Sequence, residues 1–95
     1  MDNLKKAKET IRVLRAMADF NRLKIITLLS KRPMCVHAIV HHLNISQPAV
    51  SKHLKLLTDA GLLVSEKKGM YVHYSLKRDR LLYHFKNIEK IIKES

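Results

Sequence analysis

Residues 44–63 constrain the fold more than any other stretch, because they combine a helix start, an apolar stripe and a helix stop. Ser46 can cap the first turn with its hydroxyl, and Pro48 falls inside that turn, where a missing backbone N–H costs little. At about 100° per residue, one face of the segment is an apolar stripe, formed by Val50, Leu54 and Leu57. Gly61 ends the pattern. The segment therefore predicts an amphipathic helix between Ser46 and Gly61.

The opposite face of this helix is polar and has no carboxylate before Asp59; it consists of Gln47, Pro48, Ser51, Lys52 and Lys55. A helix face that only meets solvent usually mixes both signs of charge. Glutamine can pair bidentately with adenine, serine can donate or accept at any base edge, and lysine reaches phosphate or guanine. The face therefore suits a DNA major groove, with an ordinary surface helix as the alternative.

The charge balance of the chain also favours a polyanionic partner. Nineteen lysines and arginines stand against eight aspartates and glutamates, which gives a net charge of +11 over 95 residues. Nucleic acid is the first candidate partner. An anionic membrane is the second, but a helix that binds a membrane surface needs Trp or Phe on its apolar face, and the chain has no Trp and two Phe.

Length, hydropathy and cysteine content indicate a single domain, residues 1–95, that works in the cytoplasm without a membrane partner. The length allows one modest core. The first residues are polar, and no apolar run approaches the length of a membrane span. Cys35 is the only cysteine and cannot form a disulfide within the chain, which agrees with a reducing compartment.

Three helices are predicted before residue 44. The first, from Asn3 to about Met17, repeats apolar residues at spacings of three and four. Asp19 is suited to cap the second, which we expect to be buried on most sides because it contains Leu23, Ile25, Ile26, Leu28 and Leu29. Residues 31–33 interrupt the pattern, and a short amphipathic helix follows at 36–43. The turn at 44–45 then forces two helices to cross steeply, which is the helix-turn-helix arrangement.

Two strands joined by a tight turn are predicted after Gly61. Apolar and polar residues alternate from Leu62, and residues 71–76 are rich in aromatic and β-branched side chains. The natural turn between them is 67–70, where Gly69 supplies backbone freedom. Lys67 and Lys68 would stand at the tip, where adjacent like charges favour an opposing anion. The alternative is that they only keep an edge hairpin soluble.

The candidate DNA contacts combine the polar helix face with this hairpin: Ser46, Gln47, Pro48, Ser51, Lys52, His53, Lys55, Lys67, Lys68 and Tyr71. Gln47 and Ser51 are predicted to contact base edges, and the lysines are predicted to bind phosphates. His53 lies beside the apolar stripe, and its predicted role is divided between filling a pocket and holding a phosphate.

Both terminal helices carry an apolar seam, and one small core cannot easily cover both. In the last helix, residues 79–92, the seam repeats at spacings of four, three and four. We therefore expect a two-fold homodimer through the first and last helices, with an interface formed by Leu4, Ile11, Leu14, Leu81, Phe85, Ile88 and Ile92. The alternative is that these helices only cap the core of the monomer.

With this order of elements, the sequence resembles the ArsR/SmtB family of winged-helix repressors over nearly its whole length. The most specific motifs are residues 17–26, 46–54, 60–62 and 68–76, the second reading Ser-Gln-Pro-Ala-Val-Ser-Lys-His-Leu. The resemblance implies a mostly α fold with a small β-hairpin, a winged helix-turn-helix of order α-α-α-α-β-β-α. It also implies a homodimeric repressor that binds an imperfect palindrome in double-stranded DNA and is released by an effector.

The effector is the part of the family pattern that this chain matches least. The family's Cys-Val-Cys metal box corresponds here to Cys35-Val36-His37, and His41 follows one helical turn later. Cys35, His37 and His41 are therefore candidate ligands for zinc or a thiophilic metal ion, with a structural or inert Cys35 as the alternative. The family's second metal site is expected to be absent, because Leu81 and Ile92 occupy its histidine positions. A redox or small-molecule effector, or none, stays open.

The same residues bear on three other classes of function. The sequence has no glycine-rich phosphate loop, carboxylate pair or nucleophile with a positioned base, so an enzyme is not expected. A non-specific nucleoid-type or RNA-binding protein would use the same basic surface without sequence preference. A winged helix that binds only proteins would tolerate charge reversal at Lys52 or Lys68.

Overall fold

The computed structural model describes the backbone of residues 2–94 and the side chains of residues 4–94. In chain order, the helices are α1 (Asp2–Met17), α2 (Phe20–Leu29), α3 (Val36–Leu43), α4 (Gln47–Asp59) and α5 (Arg78–Lys93). The strands are β1 (Met34–Cys35), β2 (Leu63–Lys68) and β3 (Tyr71–Leu76). The predicted mostly α fold with a β-hairpin is confirmed, and β1 is an addition to the predicted order.

The ends of the central helices follow the predicted capping residues. The Asp19 carboxylate accepts the backbone N–H of Arg22 at 3.1 Å, and the Ser46 hydroxyl accepts that of Ala49 at 3.2 Å. Asn44 takes a left-handed conformation, φ 54°, which ends α3 and turns the chain into α4. Gly61, at φ 80°, similarly ends α4 and leads into β2.

The three strands form one antiparallel sheet in the order β1-β3-β2. Lys68 pairs with Tyr71 across the hairpin turn, where Gly69 has φ 63°. In β1, Met34 pairs with Tyr74 and Cys35 with His73. A strand of two residues is too short to show an alternating pattern, so only its pairing with β3 makes it recognisable.

The core lies between α2, the helix-turn-helix and the base of the hairpin. Its fully buried side chains include Ile25, Ile39, Val50, Leu54, Leu57, Leu62 and Leu63. The apolar stripe predicted for α4 is therefore confirmed as its inward face. The prediction that α2 is buried on most sides is wrong, because Leu23 is 50% exposed and Phe20, at the first position, is 78% exposed.

Helices α1 and α5 pack against each other through a partly polar contact. Thr10 and Val13 of α1 are buried, as are His84 and Asn87 of α5. The Thr10 hydroxyl lies 3.4 Å from His84 Nδ1. Because α1 and α5 meet through these residues, much of each predicted apolar seam faces away from the other helix. Apolar side chains therefore remain exposed on both helices.

The predicted dimer seam consequently separates into two groups. Five of its residues are exposed: Leu4, Ile11, Leu14, Phe85 and Ile92. Leu81, predicted for the interface, is partly buried and packs against the core of the same chain. Ile88 is also partly buried, in a narrow cleft between α1 and α5. The spacing of a helical stripe cannot tell which of its members meet the chain's own core.

Candidate nucleic-acid interface

The polar face of α4 is exposed as a continuous surface. Gln47, Pro48, Ser51 and Lys52 all point to solvent, while Val50 and Leu54 between them are fully buried. Within the described residues, the side chains of Gln47, Ser51 and Lys52 have no hydrogen-bond or ion-pair partner. Their donors and acceptors are therefore available to an external ligand.

Two other predicted contacts on α4 already have partners in the protein. The Ser46 hydroxyl accepts the capping hydrogen bond from Ala49, which leaves its own O–H to donate. Lys55 Nζ lies 3.1 Å from Asp59 Oδ2 in an exposed pair one helical turn apart. Because exposed pairs contribute little free energy, Lys55 can exchange Asp59 for a phosphate at low cost.

His53 is turned away from the exposed face, so its assignment as a DNA contact is corrected. Its side chain is 17% exposed, and its Nδ1 lies 3.3 Å from Arg22 Nη1 and 3.9 Å from Asp19 Oδ2. His53 thus joins α4 to the start of α2. The position of His53 beside the apolar stripe is compatible with both orientations. Its contacts with Arg22 and Asp19 hold the ring in the inward one.

Arg22 is a positioning residue that the sequence reasoning did not assign. Its Nε donates to the carbonyl oxygen of Ala16 at 2.6 Å, so one side chain connects α1, α2 and α4. The backbone N–H of Arg22 also lowers the pKa of Asp19, with further lowering from the charges of Arg22 and His53. The motif Asp19-x-x-Arg22 could have drawn attention to Arg22. Residue spacing alone, however, does not reveal that its side chain reaches the Ala16 carbonyl oxygen and His53.

One predicted contact of the hairpin, Tyr71, lies across a cleft from the start of α4. Lys67, Lys68 and Tyr71 are exposed, and Tyr71 meets the ring of His37 edge-on at a centroid distance of 6.4 Å. A cleft of about 390 Å³ between the hairpin and the helix-turn-helix is lined by Tyr71, His37 and Gln47 among others. The tip of the hairpin and the first residue of α4 therefore face a common space.

The three candidate metal ligands do not form a metal site within one chain. Cys35 ends β1 as a half-buried free thiol, His37 packs on Tyr71, and His41 contacts the ring of His42. Between residues 4 and 94, no three His, Cys, Asp or Glu side chains lie close enough together to hold a metal ion. The prediction failed because β1 and α3 direct Cys35 and His41 to different surroundings.

The sequence that forms this interface matches a known protein family. The family described as "Bacterial regulatory protein, arsR family" matches residues 19–65, which run from the cap of α2 into β2. An HTH-type transcriptional regulator of Methanocaldococcus jannaschii is 35% identical over 95 residues, covering 99% of both chains. The chain belongs to the ArsR family. The arsenical resistance operon repressor of Escherichia coli is 43% identical over 67 residues, 70% of this chain and 57% of that protein.

A solved structure agrees with this membership. The fold of this ArsR-family chain matches an ArsR-like transcriptional regulator from Rhodococcus sp. RHA1 with a TM-score of 0.85. The two are 28% identical, and the match covers 93% of this chain and 83% of the other. The predicted winged-helix fold is thereby confirmed.

Family membership also confirms the predicted class of function. ArsR-family proteins are transcriptional regulators that bind DNA, and not enzymes. The hairpin of β2 and β3 is the wing of this fold. The family match contains the whole of α4 but stops before Lys67, Lys68 and Tyr71 of the wing. No helix in residues 2–94 is long and apolar enough to cross a membrane.

Proposed function

We propose that this chain is a repressor that binds an imperfect palindrome in double-stranded DNA as a homodimer. The observation that carries the proposal is the outer face of α4, where Gln47, Ser51 and Lys52 are exposed and have no partner within the described residues. An unpaired polar side chain costs free energy only when it is buried. These three exposed side chains can therefore bind bases and phosphates without losing a contact in the protein.

The proposed division of labour follows from side-chain chemistry. Gln47 and Ser51 read base edges in the major groove, because amide and hydroxyl groups can both donate and accept. Lys52, Lys55 and the wing lysines, Lys67 and Lys68, neutralise phosphates and fix the register of α4 on the duplex. Pro48 and Tyr71 contribute contact surface beside them.

The exposed apolar residues of α1 and α5 support a dimer. Leu4 is 60% exposed, Ile11 48%, Phe85 45% and Ile92 68%, which is unusual for large apolar residues on two adjacent helices. A second copy related by a two-fold axis would cover both sets at once. It would also present two copies of α4, and a two-fold pair of reading helices recognises a palindrome.

Release by an effector remains part of the proposal, without an identified ligand. A metal held by Cys35, His37 and His41 of one chain is not included. Because the ligand of this domain is DNA and its net charge is +11, we expect it to act in the cytoplasm.

The test is selection of genomic fragments by the purified chain, followed by binding measurements on the best fragment and on a scrambled duplex of equal length. A specific regulator prefers its site over non-specific DNA by about 10³-fold or more. Equal affinity for both duplexes, changing only with salt concentration, would instead identify a non-specific nucleic-acid binder. Mass measurement of the protein–DNA complex counts the protomers on each site.

A further inference from the structure

A second basic site lies beside the last turn of α4. It is a cleft of about 280 Å³ between the end of α1, the first turn of α2 and the last turn of α4. Three arginines line it, Arg12, Arg15 and Arg22, together with Leu56 and Asp59. We call this the arginine cleft. None of its arginines belongs to the proposed DNA contacts.

Two of the three guanidinium groups are held in place by backbone carbonyls. Arg12 Nη2 donates to the carbonyl oxygen of Asp59 at 3.2 Å, and Arg22 Nε donates to that of Ala16 at 2.6 Å. Arg22 is further fixed by His53, at 3.3 Å from its Nη1. A guanidinium has five N–H donors, so each retains several that are not used in the protein.

Arg15 differs from the other two because its side chain has no hydrogen-bond or ion-pair partner within the described residues. It lies in the last turn of α1 and is exposed. A positive charge near the carboxyl end of a helix stabilises the helix, but this effect is small at an exposed position. The protein itself therefore makes little use of the guanidinium of Arg15.

The charge of the cleft remains positive when its one carboxylate is counted. Asp59 Oδ2 lies 3.1 Å from Lys55 Nζ, and even if Lys55 leaves Asp59 for a phosphate, three arginines outweigh one carboxylate. Arg12 and Arg22 supply donors held by backbone carbonyls, and Arg15 supplies donors that have no partner within the described residues. The planar N–H donors of a guanidinium can bind two oxygens of a phosphate group at once, whereas a halide is a single spherical ion.

We propose that the arginine cleft binds a phosphate group. Its volume lies just below the range of about 300 to 1,000 Å³ usual for small-molecule sites, which fits a single phosphate with part of its carrier. The phosphate has two sources, the DNA backbone next to the groove that α4 enters or a free phosphorylated molecule. The first source rests on the proposed function, whereas the second does not.

The experiment compares Arg15→Gln with Arg32→Gln. Both variants remove one exposed arginine charge, but Arg32 lies in the loop between α2 and β1, away from the cleft. Arg15→Lys is added because lysine keeps the charge and loses the fork of donors. Thermal unfolding of each variant checks that its fold is intact.

The first measurement is titration of the DNA-free protein with inorganic phosphate at constant ionic strength. Backbone amide NMR signals of Ala16, Leu56 and Ala60 should shift with a saturable midpoint. Arg15→Gln should weaken this midpoint about tenfold, since a charged hydrogen bond is worth at least that much, and Arg32→Gln should not. Arg15→Lys should fall between them. Combined with an unchanged salt dependence of DNA binding in Arg15→Gln, this pattern assigns the cleft to a free phosphorylated molecule.

The second measurement is the salt dependence of DNA binding. If the phosphate belongs to the DNA backbone, Arg15→Gln reduces the slope of log K against log salt by about 0.9 for each protomer on the site, and Arg32→Gln leaves it unchanged. Either pattern supports the proposal. It is overturned if the two glutamine variants agree in both measurements. Wild-type protein that binds no DNA would refute the proposed function, and the phosphate titration would then decide the cleft alone.

Discussion

Replacement of Gln47 by alanine tests the proposed base readout most directly. Gln47 is the first residue of α4 and is exposed, and its side chain forms no hydrogen bond within the described residues. The variant therefore loses no intramolecular contact, and the free energy of unfolding should change by less than about 0.5 kcal/mol. For a domain of this size, that corresponds to a shift in Tm of less than about 4 °C.

The expected effect on DNA binding is much larger. A bidentate contact between an amide side chain and adenine discriminates by about 1 to 3 kcal/mol. At 1.4 kcal/mol per tenfold change, this raises the Kd for each half-site by about 5- to 150-fold. A symmetric dimer on a palindrome loses the contact twice. Binding to scrambled DNA should change little, because that affinity comes from phosphate contacts.

Fluorescence anisotropy at one fixed salt concentration measures both affinities. Ser51→Ala, one helical turn later, should repeat the pattern, and Ser65→Ala, an exposed serine on β2, is its matched control. The reasoning is refuted if Gln47→Ala weakens cognate and scrambled DNA equally, or if neither affinity changes. An equal loss would mean that this face binds only the DNA backbone.

Three further predictions concern the wing, the dimer and pH. Lys68→Ala should weaken binding to cognate and scrambled DNA alike and reduce the salt slope by about 0.9 for each protomer bound, and a loss limited to the cognate site would contradict a phosphate contact. Phe85→Asp should convert the dimer to a monomer at micromolar concentration in analytical ultracentrifugation, whereas Met70→Asp, at a 92% exposed residue of the wing tip, should not. A dimeric Phe85→Asp variant would exclude the α5 seam from the interface. Burial, and then the charge of Arg80, lower the pKa of His84 below 6.5, so protons bind more readily to the unfolded chain. The free energy of unfolding should therefore be constant above about pH 7 and fall as the pH drops from about 6.5 towards the lowered pKa. Thermal unfolding at about pH 7.5 and 5.5 tests this, and an unchanged difference in Tm in His84→Gln would assign the effect to other groups.

Local sequence predicted the elements that depend on nearest neighbours along the chain. Ser46 and Asp19 cap their helices because a cap needs only an oxygen three residues before a free N–H. The inward and outward faces of α4 likewise follow from helical periodicity. The outward position of the amide, hydroxyl and cation, Gln47, Ser51 and Lys52, was therefore predictable from the sequence alone.

Contacts between distant residues were decided only by tertiary structure. Strand β1 exists because Met34 and Cys35 meet β3 nearly forty residues later, at Tyr74 and His73. His53 is held inward by Arg22, a neighbour across 31 positions. Periodicity gives the direction of a side chain around its own helix axis, but it contains no information about what another element places there. The arginine cleft, built from three helices, illustrates the same limit, since spacing along the chain does not reveal that Arg12, Arg15 and Arg22 meet.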